Sequence, residues 1–448
     1  MANNITELSE KPIGRLLWQY SAPAVTGMLV MSLYNVIDRI FIGQGVGPEA
    51  ISGLALTFPV MNLSTALGVL IGGGAAARTS ILLGARDHKG AEKVLGNSFV
   101  LTLAIGTAYT LLFGIFVDEI LRAFGASDVT LPYAREFMLW LLPGLIMTNL
   151  CYSFNNVMRA SGYPMRAMAT MFIGALLNLA LAPFFLFYLE MGIKGAAIAT
   201  DISMTVSAGF VMQHFLRKSS TVRFKRGIYG LEWRVVWGII AIGAAPALVN
   251  AAACFVNMTI NLSLVEYGTD LDVGAAGIFI TYTTLMITIV IGIGMGMQPI
   301  VGYNYGAGRL DRLKRAYTLA WVAGSVICTV GCIFGLACPN LIAKAFTTDE
   351  RMIEVTANGI RLALPMFWVA GFQIISSSFF QSIGKAGKST LLGLTRQVIC
   401  LYPMLLIFPN IWGLNGIWLS FPAADAASTL VAIVLIILQF RQIKKAQR

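Results

Sequence analysis

Apolar residues fill this chain in long runs, separated by short turns rich in Gly, Pro and charge. A bilayer's hydrocarbon core is about 30 Å thick, and a helix needs roughly 20 apolar residues to cross it. Twelve runs reach that length: 15–42, 51–83, 96–117, 131–158, 167–189, 195–216, 236–264, 274–303, 316–337, 354–383, 390–411 and 416–440. The pattern predicts an all-α integral membrane protein with twelve transmembrane helices, several long enough to tilt or to run past the membrane. Residues 1–12 are polar, and the first run has no small-residue cleavage pattern. It therefore reads as a retained helix and not as a signal peptide.

The runs are written twice. Pro23 in SAPA matches Pro246 in AAPA, which sets Asp38 opposite Asn261. Ala123-Phe124 matches Ala345-Phe346, Leu142-Pro143 matches Leu364-Pro365, Gly162 matches Gly384, and Gly192…Gly195 matches Gly413…Gly416, all at offsets of 221 to 223 residues. Six spans per half is an even number, so both halves enter the membrane in the same direction. The expectation is two parallel six-helix bundles related by an axis along the membrane normal, with alternating access by rocking one against the other. The bundles are placed at 1–216 and 236–448, with a basic linker at 217–235.

Composition narrows the function. The 448 residues are 57% hydrophobic and 12% charged, with a mean hydropathy of +0.75; a soluble domain carries about 25% charged residues. The net charge of +11 first suggests nucleic acid, but its distribution does not. With the N-terminus inside, 25 of the 32 Lys and Arg fall on cytoplasmic loops or inner helix ends, leaving seven elsewhere, Arg39 among them. That asymmetry is the positive-inside rule and orients both termini to the cytoplasm, so no nucleic-acid partner is needed. Cys151, Cys254, Cys328, Cys332, Cys338 and Cys400 sit mostly in apolar runs and read as small hydrophobes. His88 and His214 are far apart, no Cys/His spacing suggests a metal, and no Ser/His/Asp or Cys/His set suggests an enzyme. The dense glycines in LIGGGAAA (70–77) and GIGMGM (292–297) read as close helix packing, since no strand or P-loop lysine accompanies them.

Polar residues inside the runs carry the candidate chemistry. An Asp at a helix centre costs about 2.5–3.5 kcal/mol on insertion scales, so a retained one calls for an explanation. Asp38 shares a helical face with Tyr34, Met31 and Gly27, with Asn35 beside Tyr34, and Pro23 four turns back should bend that helix. A titratable acid and a proline on one helix suit an ion-driven switch. The alternative is that Asp38 pairs with Arg39 or sits at the outer interface, although adjacent helical residues diverge by about 100°. Asn250, Cys254, Asn257 and Asn261 form one polar stripe, either a cavity wall or hydrogen-bond glue between helices. Gln298, Asn304, Gln373 and Gln381 admit the same two readings. Asp201 and Asp425 are open between lining an aqueous path and structural pairing.

Several runs then carry a resemblance: SAPAVTGMLVMSLYNVIDRIFIG (21–43), GGGAAARTSILLGARD (72–87), RASGYPMRAM (159–168), GIKGAAIATDIS (192–203) and GMGMQPIVGYNYGAGR (294–309). In this order and spacing the chain resembles the multidrug and toxic compound extrusion family, and its MepA-like branch above all. The resemblance implies a fold of the MATE/MOP type and a bacterial plasma-membrane exporter. Such a protein exchanges organic cations or other amphipathic compounds for H⁺ or Na⁺, and works as a monomer without a cofactor. It also implies an ion site of Asp38, Asn178 and Thr200; Tyr34, Asn35, Asn257, Asn261, Gln298 and Gln373, from the polar positions above, are the candidates for a substrate cavity. Where the family has an N-x-x-x-D-P pattern, this chain reads Asn178-Leu179-Ala180-Leu181-Ala182-Pro183, so the second acid is absent. Sodium favours several hard oxygens, whereas a proton needs one acid, which tilts the expectation to H⁺. A lipid-precursor flippase of the same superfamily is the first alternative, and a passive channel or receptor the second. The intramembrane polar residues are mainly neutral or acidic, which favours a cationic cargo over an anionic lipid.

Overall fold

The computed structural model describes residues 3–46 and 48–446. They are mostly helical, without a strand, and the linker between Leu216 and Trp233 is the longest non-helical stretch. The first repeat comprises α1 (Asn3–Glu10), α2 (Ile13–Val46), α3 (Pro48–Gly84), α4 (His88–Ile115), α5 (Val117–Ala123), α6 (Leu131–Ala160), α7 (Pro164–Pro183) and α8 (Gly192–Leu216). The second comprises α9 (Trp233–Tyr267), α10 (Asp270–Gly306), α11 (Leu310–Ala337), α12 (Pro339–Lys344), α13 (Glu350–Ala363), α14 (Ala370–Ser382), α15 (Ala386–Leu394), α16 (Tyr402–Trp412) and α17 (Leu414–Ala446). Eleven of the described helices are long and apolar enough to cross a membrane, and α13 with α14, bent by 58°, makes a twelfth. Two spans contain π-helical turns, at Phe184–Tyr188 after α7 and at Thr395–Leu401 between α15 and α16. Outward faces carry apolar stripes at helical spacing, such as Val326, Val330 and Ile333 on α11 and Leu430, Val434 and Leu438 on α17. Protein leaves these stripes uncovered, and lipid is the solvent that suits them.

Contacts divide the chain into two units. Unit 1 is Met1–Lys11 with Thr26–Ala247, and unit 2 is Pro12–Val25 with Leu248–Arg448. The divisions fall inside α2 just after Pro23 and inside α9 just after Pro246. Helix α2 stays continuous through its proline, so Pro23 marks a change of packing partner and does not break the helix.

Within each unit the docked half-helix is held by glycine. In unit 1, a Cβ on Gly74 of α3 would collide with the Ile239 carbonyl of α9, and one on Gly243 with the Leu70 carbonyl. In unit 2, a Cβ on Gly296 or Gly292 of α10 would run into the Ser21 and Val25 backbone of α2. Backbones this close allow van der Waals contact and hydrogen bonds such as Ser21 Oγ to the Ile293 carbonyl (3.4 Å).

The duplication is visible in individual bonds. The Thr110 hydroxyl donates to the carbonyl of Leu142, just before Pro143, and Cys332 Sγ makes the same bond to Leu364, just before Pro365. Asn155 donates to the Ala167 carbonyl, while Ser377 and Ser389 exchange bonds at the matching place. Tyr109 on α4 donates to Val60 on α3; in the second repeat the donor has moved across, and Tyr282 on α10 donates to Gly331 on α11. The prolines act differently in the two repeats. Helix α6 runs on through Pro143, whereas the chain breaks at Pro365, between α13 and α14.

The linker is seated firmly in unit 1. Lys225 pairs with Glu92 (2.7 Å), Lys93 pairs with Glu232 (2.6 Å), and Asn97 donates to the Gly230 carbonyl while accepting from the Glu232 amide. Phe224 and Tyr229 join Phe99, Phe154 and Phe215 in an aromatic cluster.

Replacing Gly74 or Gly243 by Leu should destabilise the protein by about 1–3 kcal/mol or more, because the intruding atoms meet rigid backbone. Gly277→Ala, where nothing lies within 4 Å, should be silent. Thermal unfolding of the purified protein in detergent checks this; equal melting temperatures for all three would refute the packing argument.

Candidate functional site

Helix α2 sets Tyr34 and Asp38 one turn apart on one face. Tyr34 is buried and Asp38 half-buried. Around the Tyr34 hydroxyl stand Asp38 from its own helix, Thr200 from α8, to which it hydrogen-bonds, and Tyr152 from α6. Asn178 on α7 donates its amide to the Thr200 hydroxyl (3.0 Å), and that hydroxyl donates its own proton to the Ala196 carbonyl (3.1 Å). Four helices of unit 1 thus meet at one polar node containing Asp38, Asn178 and Thr200. A threonine hydroxyl has one proton. With that proton given to Ala196, Thr200 is the acceptor toward Asn178.

The node has spare oxygen. The carbonyl oxygen of Asn178, a residue only 1% exposed, is buried without a hydrogen-bond partner among the described atoms. It can face a small cation, and the Asp38 carboxylate nearby can take a proton or face a cation. Ala182 lies one turn beyond Asn178 on the same face, fully buried in an apolar cluster with Leu186, Ala196 and Ala199. No carboxylate replaces it from α8: Asp201 turns away to α6, where its carboxylate packs against Gly144.

Beside the node lies a cavity of about 20 Å³ lined by Met31, Cys151, Tyr152, Met171, Gly174 and Met204 among others. One water-sized sphere fits, but the walls are almost wholly apolar, so the space is dry. Gly27 permits the close passage of Met171 at this level.

The remaining candidates are dispersed. Asn35 is exposed on α2, and the α9 stripe of Asn250, Cys254, Asn257 and Asn261 is likewise uncovered along its length. An uncovered stripe does not glue helices within a unit. Gln298 is buried in α10. Gln373 is buried too, and its amide donates to the Leu392 carbonyl (2.7 Å), tying α14 to α15. Asn304 donates to the Ile300 carbonyl and receives Arg312. The Arg39 side chain, the alternative partner for Asp38, lies outside the described residues.

Sequence reading missed one element of unit 2. Arg396, counted above at an inner helix end, stands ten residues into the 386–412 span, and its Nε bonds the Asp425 carboxylate at 2.6 Å. Its signal was the Arg itself within an apolar run that also holds no other charge up to Trp412. Among the described residues no His, Cys, Asp and Glu cluster could hold a metal ion.

Comparison with known proteins now places the chain. A family profile, MatE, matches twice, at residues 23–184 and 246–404, opening each time on the paired prolines Pro23 and Pro246. The chain is 25% identical to the multidrug export protein MepA of Staphylococcus aureus strain MRSA252, across 96% of this chain and 94% of that protein. It is 24% identical to MepA of Staphylococcus haemolyticus strain JCSC1435, across 95% and 94%. Among solved structures it superposes on an outward-facing multidrug resistance MATE transporter of the MOP superfamily with a TM-score of 0.92, at 25% identity and 99% coverage of both chains. It also superposes on a MATE crystal structure in a bent conformation, with a TM-score of 0.93 at the same identity and coverage. The doubled profile match, the full-length relatives and the shared fold agree: the chain belongs to the MatE family, and it is a multi-pass membrane transporter and not an enzyme.

Proposed function

We propose that this transporter is an ion-coupled multidrug exporter that drives organic cations or other amphipathic compounds out of the cell, with Asp38 as the coupling acid and H⁺ as the ion in preference to Na⁺. The observation that carries the reading is the node in unit 1. Tyr34 links the only acid on its face of α2 to the Thr200–Asn178 pair, so the charge state of Asp38 is felt by three helices at once. Protonation would remove the charge that Tyr34 faces, and rocking of the bundles, loaded with the ion in one direction and the drug in the other, supplies the alternation. The protein acts as a monomer in a bacterial plasma membrane with both termini inside.

Driving force is sufficient for one acid. A single charge moving inward through 100 mV releases about 2.3 kcal/mol, which at about 1.4 kcal/mol per tenfold sustains roughly a fortyfold gradient of a neutral solute. If a monovalent cation leaves for each proton that enters, the exchange is electroneutral and the pH gradient alone drives it.

The interior arginines support a cationic cargo over an anionic lipid. Arg78 donates to the Arg234 and Val235 carbonyls, buried Arg159 donates to Asn156, and Arg396 is neutralised by Asp425. Each is engaged within its own unit.

Asp38→Asn should insert normally and lose ion-driven efflux by tenfold or more. Dye efflux from proteoliposomes under imposed pH or Na⁺ gradients decides, and full uncoupler-sensitive transport in that variant sinks the assignment. Tyr34→Phe should weaken coupling less severely, seen as more dye retained at the same pH gradient; an unchanged rate would show that the hydroxyl is idle. Ala182→Asp places a carboxylate one turn from Asn178 and should strengthen dependence on Na⁺ or H⁺. No change in either would mean the node works without a second acid.

A further inference from the structure

In the repeat register, Arg396 and Asp425 occupy the places that Gly174 and Met204 hold in the first half. Unit 1 has its dry cavity at Gly174, whereas unit 2 fills the same level with an ion pair. The pair is buried, with side-chain exposures of 19% for Arg396 and 4% for Asp425. Such a pair is a poor device for stability alone, because desolvation consumes much of what the attraction returns. Ionisable groups retained inside a membrane domain usually mark a functional path.

Arg396 stands on irregular backbone, and Asp425 sits within the continuous helix α17. Arg396 is the second residue of the π-helical turn Thr395–Leu401, a geometry that occurs mostly at functional sites. Asp425 follows Pro422 in α17, and its own carbonyl accepts from the Ser428 and Thr429 hydroxyls, a back-bonding that bends helices. The side-chain amide oxygen of Gln397, next along the turn, is buried without a partner among the described atoms, so the closed pair leaves an acceptor unused. The groups that act electrically on the pair are few. Cys328 of α11 faces both partners. Among the described residues no charged side chain of α13, α14, α15 or α16 bonds either one, and Lys388 of α15 is engaged with Gln439 and Gln442 further along α17.

We propose that Asp425 is a second proton-binding site, housed in unit 2, with Arg396 as the counter-charge that a bound proton displaces. The carboxylate is held either by the guanidinium or by a proton from water. Proton uptake and separation of the π turn from α17 are then one event, and the freed Arg396 remains charged in the interior. The proposal rests on the transport reading above but not on the role of Asp38.

The test uses the full-length protein and a fluorescent organic cation such as ethidium, with binding followed by polarisation from acid to alkaline pH in parent, Asp38→Asn, Arg396→Met/Asp425→Leu, and all three changes together. The neutral pair should melt at or above the parent temperature. Asp38→Asn should keep a pH-dependent step in binding, and adding the neutral pair should flatten it. If Asp38→Asn alone flattens the profile, or the neutral pair keeps the parent profile and transport rate, the second site is refuted. Full coupling in Asp38→Asn with loss in the neutral pair would refute the unit 1 assignment and leave this one standing. Should the neutral pair fail to insert, Asp425→Asn takes its place: a shifted or flattened profile supports the site, and the parent profile overturns it.

Discussion

Helices in hydrocarbon gain nothing by hiding apolar side chains from one another, because lipid is as apolar as leucine. Attraction must come from close backbone contact and from polar groups that find each other. This constraint shapes both units. Gly74 and Gly243 in unit 1, and Gly292 and Gly296 in unit 2, are the notches where a half-helix comes near enough to touch. Bulk at these notches would separate the elements that carry the site, since α2 bears Asp38 and is held in unit 2 over its first half.

Under the same constraint the acids can be told apart by what they hold. Asp201 packs its carboxylate against Gly144 on α6, next to Pro143. Glu92 takes Lys225 and fixes the linker. Asp425 takes a guanidinium, a partner that must itself be kept charged in the interior. Asp38 alone faces a tyrosine that is also bonded to a neighbouring helix. Equal insertion costs thus conceal unequal duties, and the partner decides which duty each acid has.

Much of the fold was legible because its signals are long. Run length gave the spans, and paired landmarks such as Pro23/Pro246 and Gly192/Gly413 gave the repeat, which reappears in matched bonds down to Thr110 and Cys332. The node was partly legible: Asp38 stands out in any apolar run, but Asn178 and Thr200 came from resemblance, and nothing in the spacing shows Tyr34 joining them. Arg396 escaped because span ends are uncertain by several residues, enough to move an interior charge to a presumed inner end. The linker misled for another reason. Its charges look solvated in sequence, yet Lys225, Phe224 and Ile228 meet groups on α4 that only folding brings near. The two prolines show a similar limit, since identical Leu-Pro steps give a continuous α6 in one repeat and a break before α14 in the other.

Unit 2 is not a contiguous stretch of polypeptide, for it includes Pro12–Val25 as well as everything from Leu248 onward. A gene fragment encoding only the second repeat would lack the segment that fills the Gly292–Gly296 notch, and would carry an orphaned leader belonging elsewhere. During synthesis that notch is supplied by residues that leave the ribosome first, so they must wait for more than half the chain before their docking place exists. A single-repeat ancestor built on this plan would have been whole only as an exchanged pair of subunits, each lending the other its opening half-helix.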